Sequence, residues 1–225
     1  MTMKVQIRAD GSVEIDGYVN AVGRDSRRIR DEYGNEFVEQ IQPGAFAVAL
    51  NKRGEDKPVK CLLNHNEARL LGDTNTNLKL EEDNIGLHAN VIITDAEVIE
   101  LARAKRLSGW SFGFYYLDSK TDYDYSNHVE RSVVTELELE EVSIIDDTMT
   151  PVYAGTSIHS RAEEKKEILL RAFDNDVISY TSDTPDKKPE ERAEDETKAP
   201  EQVKEEPETE VDYTRYHDTI NRLRR

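Results

Sequence analysis

The composition of the chain changes sharply near residue 174, and this change limits how much of the chain can fold around a core. Residues 174–210 contain 14 acidic and 5 basic residues and four of the seven prolines, and apolar residues nearly vanish after Tyr180. Such a segment cannot bury enough apolar surface to offset the entropy lost on folding. We therefore predict a folded domain over residues 1–161, a bridging helix over residues 162–174 and a disordered acidic linker over residues 175–210.

Residues 211–225 have a pattern different from that of the linker. Tyr213, Tyr216, Ile220 and Leu223 recur at spacings of three and four, which places them on one helical face, and four arginines make the segment basic. A helix this short is marginal in water by itself. We predict a short basic amphipathic segment that folds on a partner, with a frayed terminus as the alternative.

The charge and the cysteine count exclude several classes of function. The chain has 47 acidic and 30 basic residues, a formal net charge of -17, so most of its surface should repel nucleic acid. The single cysteine, Cys61, rules out an internal disulfide and a cysteine-based zinc site. The N-terminus lacks the apolar region of a signal peptide, and no run of about 18 apolar residues occurs. These features indicate a cytoplasmic protein without a nucleic-acid or membrane partner.

Short apolar segments with strand-like alternation dominate the predicted domain. A helix is expected to open at Pro43–Gly44, and a second helix is expected to run from the N-cap residue Asp95 to about Leu107. Since the strands do not alternate regularly with helices, a parallel βαβ fold is disfavoured. The pattern predicts a mainly β domain with flanking helices (α+β), built as a small, partly closed antiparallel β-barrel. The predicted strands are Met3–Arg8, Ser12–Val19, Glu36–Ile41, Val59–Asn64, Leu78–Glu81, Gly86–Ile93, Ser111–Leu117, Val129–Leu139 and Glu141–Ile145.

Three local clusters contain the residue types that nucleophilic catalysis needs. His65 ends an apolar strand, Ser111 stands among glycines and aromatic residues, and Glu141 enters an apolar strand. A serine attacks a carbonyl when a histidine takes its proton and a carboxylate holds that histidine in the useful tautomer. Taken singly, each residue type is more often structural, and no spacing rule links residues that meet only in the fold.

Short motifs in a fixed order carry a resemblance to a known family. They read DGYV at 16–19, EQIQPGAF at 39–46, LNHN at 63–66, LKLEEDNIGL at 78–87, SFGF at 111–114 and LEEVS at 139–143. In this order they resemble the motifs of the prohead maturation proteases of tailed bacteriophages with an HK97-type capsid. That family is related in fold to assemblin, the assembly protease of herpesviruses.

The resemblance covers about residues 10–161 and implies both a fold and a catalytic site. It implies an assemblin-like serine endopeptidase in which His65 is the catalytic histidine, Ser111 the nucleophile and Glu141 the third member. It implies no metal and no organic cofactor. Because assemblin-type enzymes use a second histidine as the third member, His88 and His128 are alternatives to Glu141.

The resemblance also implies partners and a place of action. The expected partners are the phage major capsid protein and its scaffolding segment, and a homo-oligomer is a further expectation. The enzyme would cleave that segment, and itself, inside the procapsid in the host cytoplasm. The alternative is a non-enzymatic scaffolding or assembly protein that keeps the protease fold, which the acidic tail and the basic end would suit.

Overall fold

A computed structural model describes residues 2–31, 33–149, 168–173 and 177–183 of the chain. These residues form twelve strands and two helices. The strands are β1 (Thr2–Ile7), β2 (Val13–Ala21), β3 (Ile29–Arg30), β4 (Glu36–Ile41), β5 (Lys60–Leu63), β6 (Asn66–Asp73), β7 (Leu78–Glu82), β8 (Gly86–Ile93), β9 (Leu107–Asp124), β10 (Val129–Asp146), β11 (Ile168–Phe173) and β12 (Val177–Ser182). The helices are α1 (Ala45–Lys52) and α2 (Ala96–Arg103).

The described strands form two sheets. One sheet has the order β12-β1-β2-β8-β7, and the other has the order β11-β9-β10-β4-β3, with β5 joined to β10 and β6 joined to β5. No described strand of one sheet pairs with a strand of the other, so the sheets do not close into a barrel. The mainly β composition with two helices is confirmed, whereas the partly closed barrel is wrong. Alternation along a strand reports which side chains face a core, and a barrel and two stacked sheets give the same alternation.

The two sheets share one apolar core, and β9 lies at its centre. Trp110, Phe112 and Phe114 of this strand are almost fully buried, and the Phe112 ring meets the Phe46 ring of α1 edge to face at 5.4 Å between centroids. Gly17 of β2 lies beside this strand, since a Cβ there would be in ordinary contact with Trp110 Nε1 at 3.4 Å and in tighter contact with Met3 Cα of β1 at 3.1 Å. The core therefore fixes the strand that carries the candidate nucleophile.

Both helices start at predicted residues, and α2 ends earlier than expected. The Asp95 carboxylate accepts hydrogen bonds from the backbone N–H groups of Glu97 and Val98, which confirms the predicted N-cap. Helix α2 stops at Arg103 rather than near Leu107, because Leu107 begins β9 and buries its side chain in the core. Neither described helix is long and apolar enough to cross a membrane.

The predicted bridging helix is wrong in the part that the structure describes. Residues 168–173 form β11, which pairs antiparallel with the edge of β9. An edge strand offers unpaired backbone groups, and hydrogen bonding to them outweighs the helical propensity of this leucine-rich stretch. Residues 150–167 lie outside the described residues, and so does the predicted end of the domain at residue 161.

The predicted acidic linker is wrong at residues 177–182. Residues 177–182 form β12, which pairs in parallel with β1, and the Tyr180 hydroxyl donates to the Leu107 carbonyl at 2.9 Å. The segment folds because Ile178 and Tyr180 pack against the core and offset the entropy of ordering it. The rest of the linker, residues 184–210, and the basic segment 211–225 lie outside the described residues, and their assignment stays a prediction.

Gly86 provides a test of the pairing between β2 and β8. A Cβ at this position would lie 2.0 Å from the Asn20 carbonyl oxygen, at the register shift between Tyr18 and Asn20. The atoms that a Cβ would meet belong to the backbone of β2 and cannot move aside as a flexible side chain can. Gly86→Ala should therefore lower the free energy of unfolding by about 2–3 kcal/mol, as overpacking does elsewhere. Denaturant unfolding measures this change. Gly54→Ala is the control, because no atom lies within 4 Å of a Cβ there, and equal unfolding midpoints for the two variants would contradict the prediction.

Candidate active site

A two-residue turn between β5 and β6 carries His65. Asn64 and His65 have φ values of 55° and 56° and connect the paired residues Leu63 and Asn66. Two central residues with positive φ are typical of a type I′ hairpin turn, a conformation that asparagine and histidine adopt more often than most non-glycine residues but still at some cost in strain. Strain of this kind persists only where surrounding contacts enforce it, and it clusters at functional sites.

Three hydrogen bonds to β10 enforce this turn. The Asn64 N–H donates to the Ile144 carbonyl at 2.9 Å, and the Asn64 side-chain oxygen accepts from the Asp146 N–H at 3.0 Å. The His65 N–H donates to the Ser143 hydroxyl oxygen at 3.1 Å. The backbone of Asn64 and His65 is therefore held against β10, which positions the His65 imidazole.

The pairing of β9 with β10 brings Ser111 and Glu141 to one face of the sheet. Ser111 stands opposite Ser143, and Gly113 stands opposite Glu141. A register shift between Leu139 and Glu141 makes Glu140 an extra residue in the ladder. Because side chains alternate between the faces of a strand, this bulge is what turns Glu141 toward the face that carries Ser111.

A continuous chain of hydrogen bonds joins the three predicted site residues. His65 Nε2 lies 2.7 Å from Ser111 Oγ, and His65 Nδ1 lies 2.7 Å from Glu141 Oε1. The second oxygen of Glu141 accepts from the Ser143 hydroxyl at 2.6 Å. With Nδ1–H donating to the carboxylate, Nε2 presents its lone pair to the Ser111 hydroxyl. Ser111, Glu141 and Ser143 are buried, with Ser111 at 2% and Glu141 at 5% exposure, whereas His65 is only partly buried.

Gly113 leaves the space that the Glu141 carboxylate occupies. A Cβ at this position would lie 2.6 Å from Glu141 Oε1 and 3.1 Å from a methyl group of Leu170. The glycine of the SFGF motif therefore acts on the site through packing, since any side chain there would displace the carboxylate.

Strand β11 borders the site along the edge of β9 that does not pair with β10. Ser111 Oγ lies 2.8 Å from the Arg171 carbonyl oxygen, and Ile168 and Leu170 form one wall of an open groove beside His65. Lys60, Leu62, Glu67, Glu140 and Glu141 line the rest of this groove.

The Arg171 side chain points away from this groove to a second buried carboxylate. Its Nε and Nη2 atoms donate to the two oxygens of Glu39, at 2.7 and 3.0 Å, and both residues are buried. Sequence reasoning assigned no role to either residue. The two lie 132 positions apart, and a single sequence contains no signal that two such charges meet inside the fold.

The two alternative histidines lie elsewhere. His88 is on β8 in the other sheet, where its Nε2 lies 3.3 Å from Asp16 Oδ2, and His128 lies in the turn between β9 and β10. The group that the structure places at His65 Nδ1 is Glu141.

The Cys61 thiol, on β5 near the site, is not a second nucleophile. Burial, together with the nearby charge of Glu141, raises the pKa of the Cys61 thiol, so the thiol stays neutral and unreactive. Among the described residues, no group of three or more His, Cys, Asp or Glu side chains is placed to hold a metal ion.

Comparison with known proteins assigns the chain to a family. The family model of the caudovirus prohead serine proteases matches residues 2–170, about three quarters of the chain. No curated protein and no solved structure matches the chain. The matched region contains the whole hydrogen-bonded chain from Ser111 through His65 to Glu141. This protein therefore belongs to the caudovirus prohead serine protease family, whose members are serine proteases of capsid maturation.

Proposed function

We propose that this protein is a serine endopeptidase in which Ser111 is the nucleophile, His65 the general base and Glu141 the carboxylate that orients His65. The observation that carries the proposal is the pair of 2.7 Å contacts that link Ser111 to His65 and His65 to Glu141. In this order the groups can remove the hydroxyl proton as the oxygen attacks.

The chemistry follows from the order of the three groups. Ser111 Oγ attacks the scissile carbonyl while its proton moves to His65 Nε2, and Glu141 stabilises the imidazolium that forms. The tetrahedral intermediate then expels the amine, which takes the proton from Nε2. Water, deprotonated by the same histidine, hydrolyses the ester on Ser111 and regenerates the free hydroxyl. The side chains of this site complete the reaction without a metal or an organic cofactor.

The proposed substrates are the scaffolding part of the phage major capsid protein and the protease itself. Family membership supports this choice, because it implies work on capsid proteins within the procapsid in the host cell. The groove beside His65 also supports a polypeptide substrate, since Leu62 gives it an apolar surface next to the imidazole.

The most direct test combines the protein with its own phage's major capsid protein. Co-expression of the wild type should shorten the capsid protein, whereas Ser111→Ala should leave it intact, because no other group can form the ester. Intact-mass spectrometry measures the fragments. Ser108→Ala is the matched control, an exposed serine on the same strand. If the capsid protein assembles but stays intact with every variant, the non-enzymatic scaffolding alternative is favoured instead.

The role of Glu141 can be separated from simple packing. Glu141→Gln keeps the shape of the side chain but cannot stabilise the imidazolium, and its amide group can impose the wrong tautomer on His65. We expect kcat to fall by about 10²–10⁴-fold with little change in KM. Rates of capsid-protein cleavage give both constants. Glu138→Gln, a change of the same kind on the same strand, should retain activity. A Glu141→Gln enzyme within about threefold of the wild type would remove Glu141 from the mechanism.

A substitution at Gly113 should lower activity by displacing the Glu141 carboxylate. Gly113→Ala forces the carboxylate to move from a position only 2.6 Å away, and a displacement of this size should lower kcat by about 100-fold. The double variant Gly113→Ala/Glu141→Gln should be little slower than Glu141→Gln alone, because both changes damage the same contact. Additive losses would show that Gly113 acts by another route.

A further inference from the structure

Strand β11 lies where a protease substrate would lie. It extends antiparallel along β9, with Ala172 opposite Ser111, Arg171 opposite Phe112 and Leu170 opposite Gly113. The carbonyl oxygen of Arg171 is 2.8 Å from Ser111 Oγ. Peptides are often recognised by adding a strand to an exposed sheet edge, where the backbone supplies hydrogen bonds and alternate side chains supply specificity.

The side chains of β11 separate to the two faces of the sheet. Leu170 faces the site, since its methyl group would lie 3.1 Å from a Cβ at Gly113 and it lines the groove with His65. Arg171, the next residue, takes the opposite face and reaches Glu39. The residue whose carbonyl meets the serine therefore has its own side-chain site, distinct from the groove.

Glu39 forms that side-chain site. Its two oxygens accept from Nε and Nη2 of Arg171, and the guanidinium lies 5.9 Å from the centre of the Phe114 ring. A bidentate pair of this kind matches the planar fork of arginine. A carboxylate at 6% exposure is strongly unfavourable without a cation beside it, so the site discriminates against neutral side chains.

We propose that residues 168–172 occupy the substrate position, that Arg171–Ala172 is the bond that the protein cuts in itself, and that Glu39 selects a basic residue before the cut bond. This inference rests on the proposed function and specifies its substrate class. The preferred substrate is an extended segment with an apolar residue facing His65, then arginine or lysine, then a small residue.

The cut needs one local rearrangement before the chemistry. The Ser111 hydroxyl contacts both His65 Nε2 and the Arg171 oxygen, but its single proton can be donated to only one of them. Attack requires the Arg171 peptide plane to turn so that the carbonyl carbon faces Oγ. The bond from the Arg171 carbon to the Ala172 nitrogen then breaks, and His65 gives its proton to the new amino group. Water hydrolyses the ester and leaves a carboxylate on Arg171.

A consequence is that the uncut chain blocks its own site. While β11 pairs with β9, no second polypeptide can pair with that edge beside Ser111. Cleavage of other substrates should therefore show a lag that ends when, after the cut, residues 168–171 leave the edge of β9.

Mass spectrometry of the full-length chain tests the position of the cut. The wild type should yield a fragment that ends at Arg171 and a second that begins at Ala172, and Ser111→Ala should yield neither. Arg171→Gln and Glu39→Gln should slow this cut by at least about 100-fold, because a buried charge then lacks its partner. Arg171→Lys should stay within about tenfold of the wild type, since the charge remains. Asp25→Asn is the control, because it changes a bidentate carboxylate–arginine pair of similar geometry away from the site, in which Arg131 of β10 keeps Asp122 and Asp124 as partners.

A pair of peptides separates selectivity from a merely structural ion pair. The wild-type chain should cleave a synthetic peptide of residues 166–175 at least about 100-fold faster than its copy with glutamine in place of Arg171. Glu39→Gln should bring the two rates close together. The wild-type comparison needs no variant of the protein, so it decides the question even if Glu39→Gln does not fold.

Failure of this inference differs from failure of the proposed function. If Ser111-dependent cleavage of the capsid protein occurs while the Arg171–Ala172 bond stays intact and both peptides react equally, the inference is overturned and the proposed function stands. If neither the capsid protein, the chain itself nor either peptide is cut, both are overturned.

Discussion

The antiparallel pairing of β9 with β10 is the constraint on which the rest of the site depends. It sets Ser111 opposite Ser143, and the bulge at Glu140 turns Glu141 to the same face. The turn that carries His65 is then bonded to β10 through Ile144, Ser143 and Asp146. Three side chains that are 30 or more positions apart in sequence meet because two long strands and one short turn share a single register. A shift of one residue would send Glu141 to the core side.

Two buried carboxylates lie on opposite faces of the same sheet, and both oxygens of each accept hydrogen bonds. Glu141 accepts from the imidazole and from the Ser143 hydroxyl, whereas Glu39 accepts from two nitrogens of one guanidinium. An unpaired carboxylate would be costly at either place. The different partners suit Glu141 and Glu39 to different roles. An imidazole held by a carboxylate can accept a proton from a nucleophile and return it to a leaving group, while a guanidinium stays charged and serves to bind a partner of matching shape and charge.

Strand β11 connects the architecture of the sheet to control of the site. Its backbone satisfies the free edge of β9, its Leu170 closes the space above Gly113, and its Arg171 neutralises Glu39. One segment thus supplies hydrogen-bond partners to an exposed strand edge, fills a packing gap and neutralises a buried charge. A substrate bound in its place would have to satisfy all three, which is a physical basis for selectivity that does not depend on loops.

Sequence alone determined what depends on local order. The bounds of β4 and β8 and the N-cap of α2 at Asp95 follow from short-range patterns. The order of short motifs, through a family resemblance, singled out His65, Ser111 and Glu141, which the fold brings within hydrogen-bond distance. Tertiary structure decided what depends on remote partners: the two open sheets in place of a barrel, the strand at residues 168–173 in place of a helix, and the pair of Glu39 with Arg171. The physical reason is that strand pairing and charge burial join groups far apart in the chain. A local pattern records how a residue faces its surroundings but not which distant backbone or side chain will meet it.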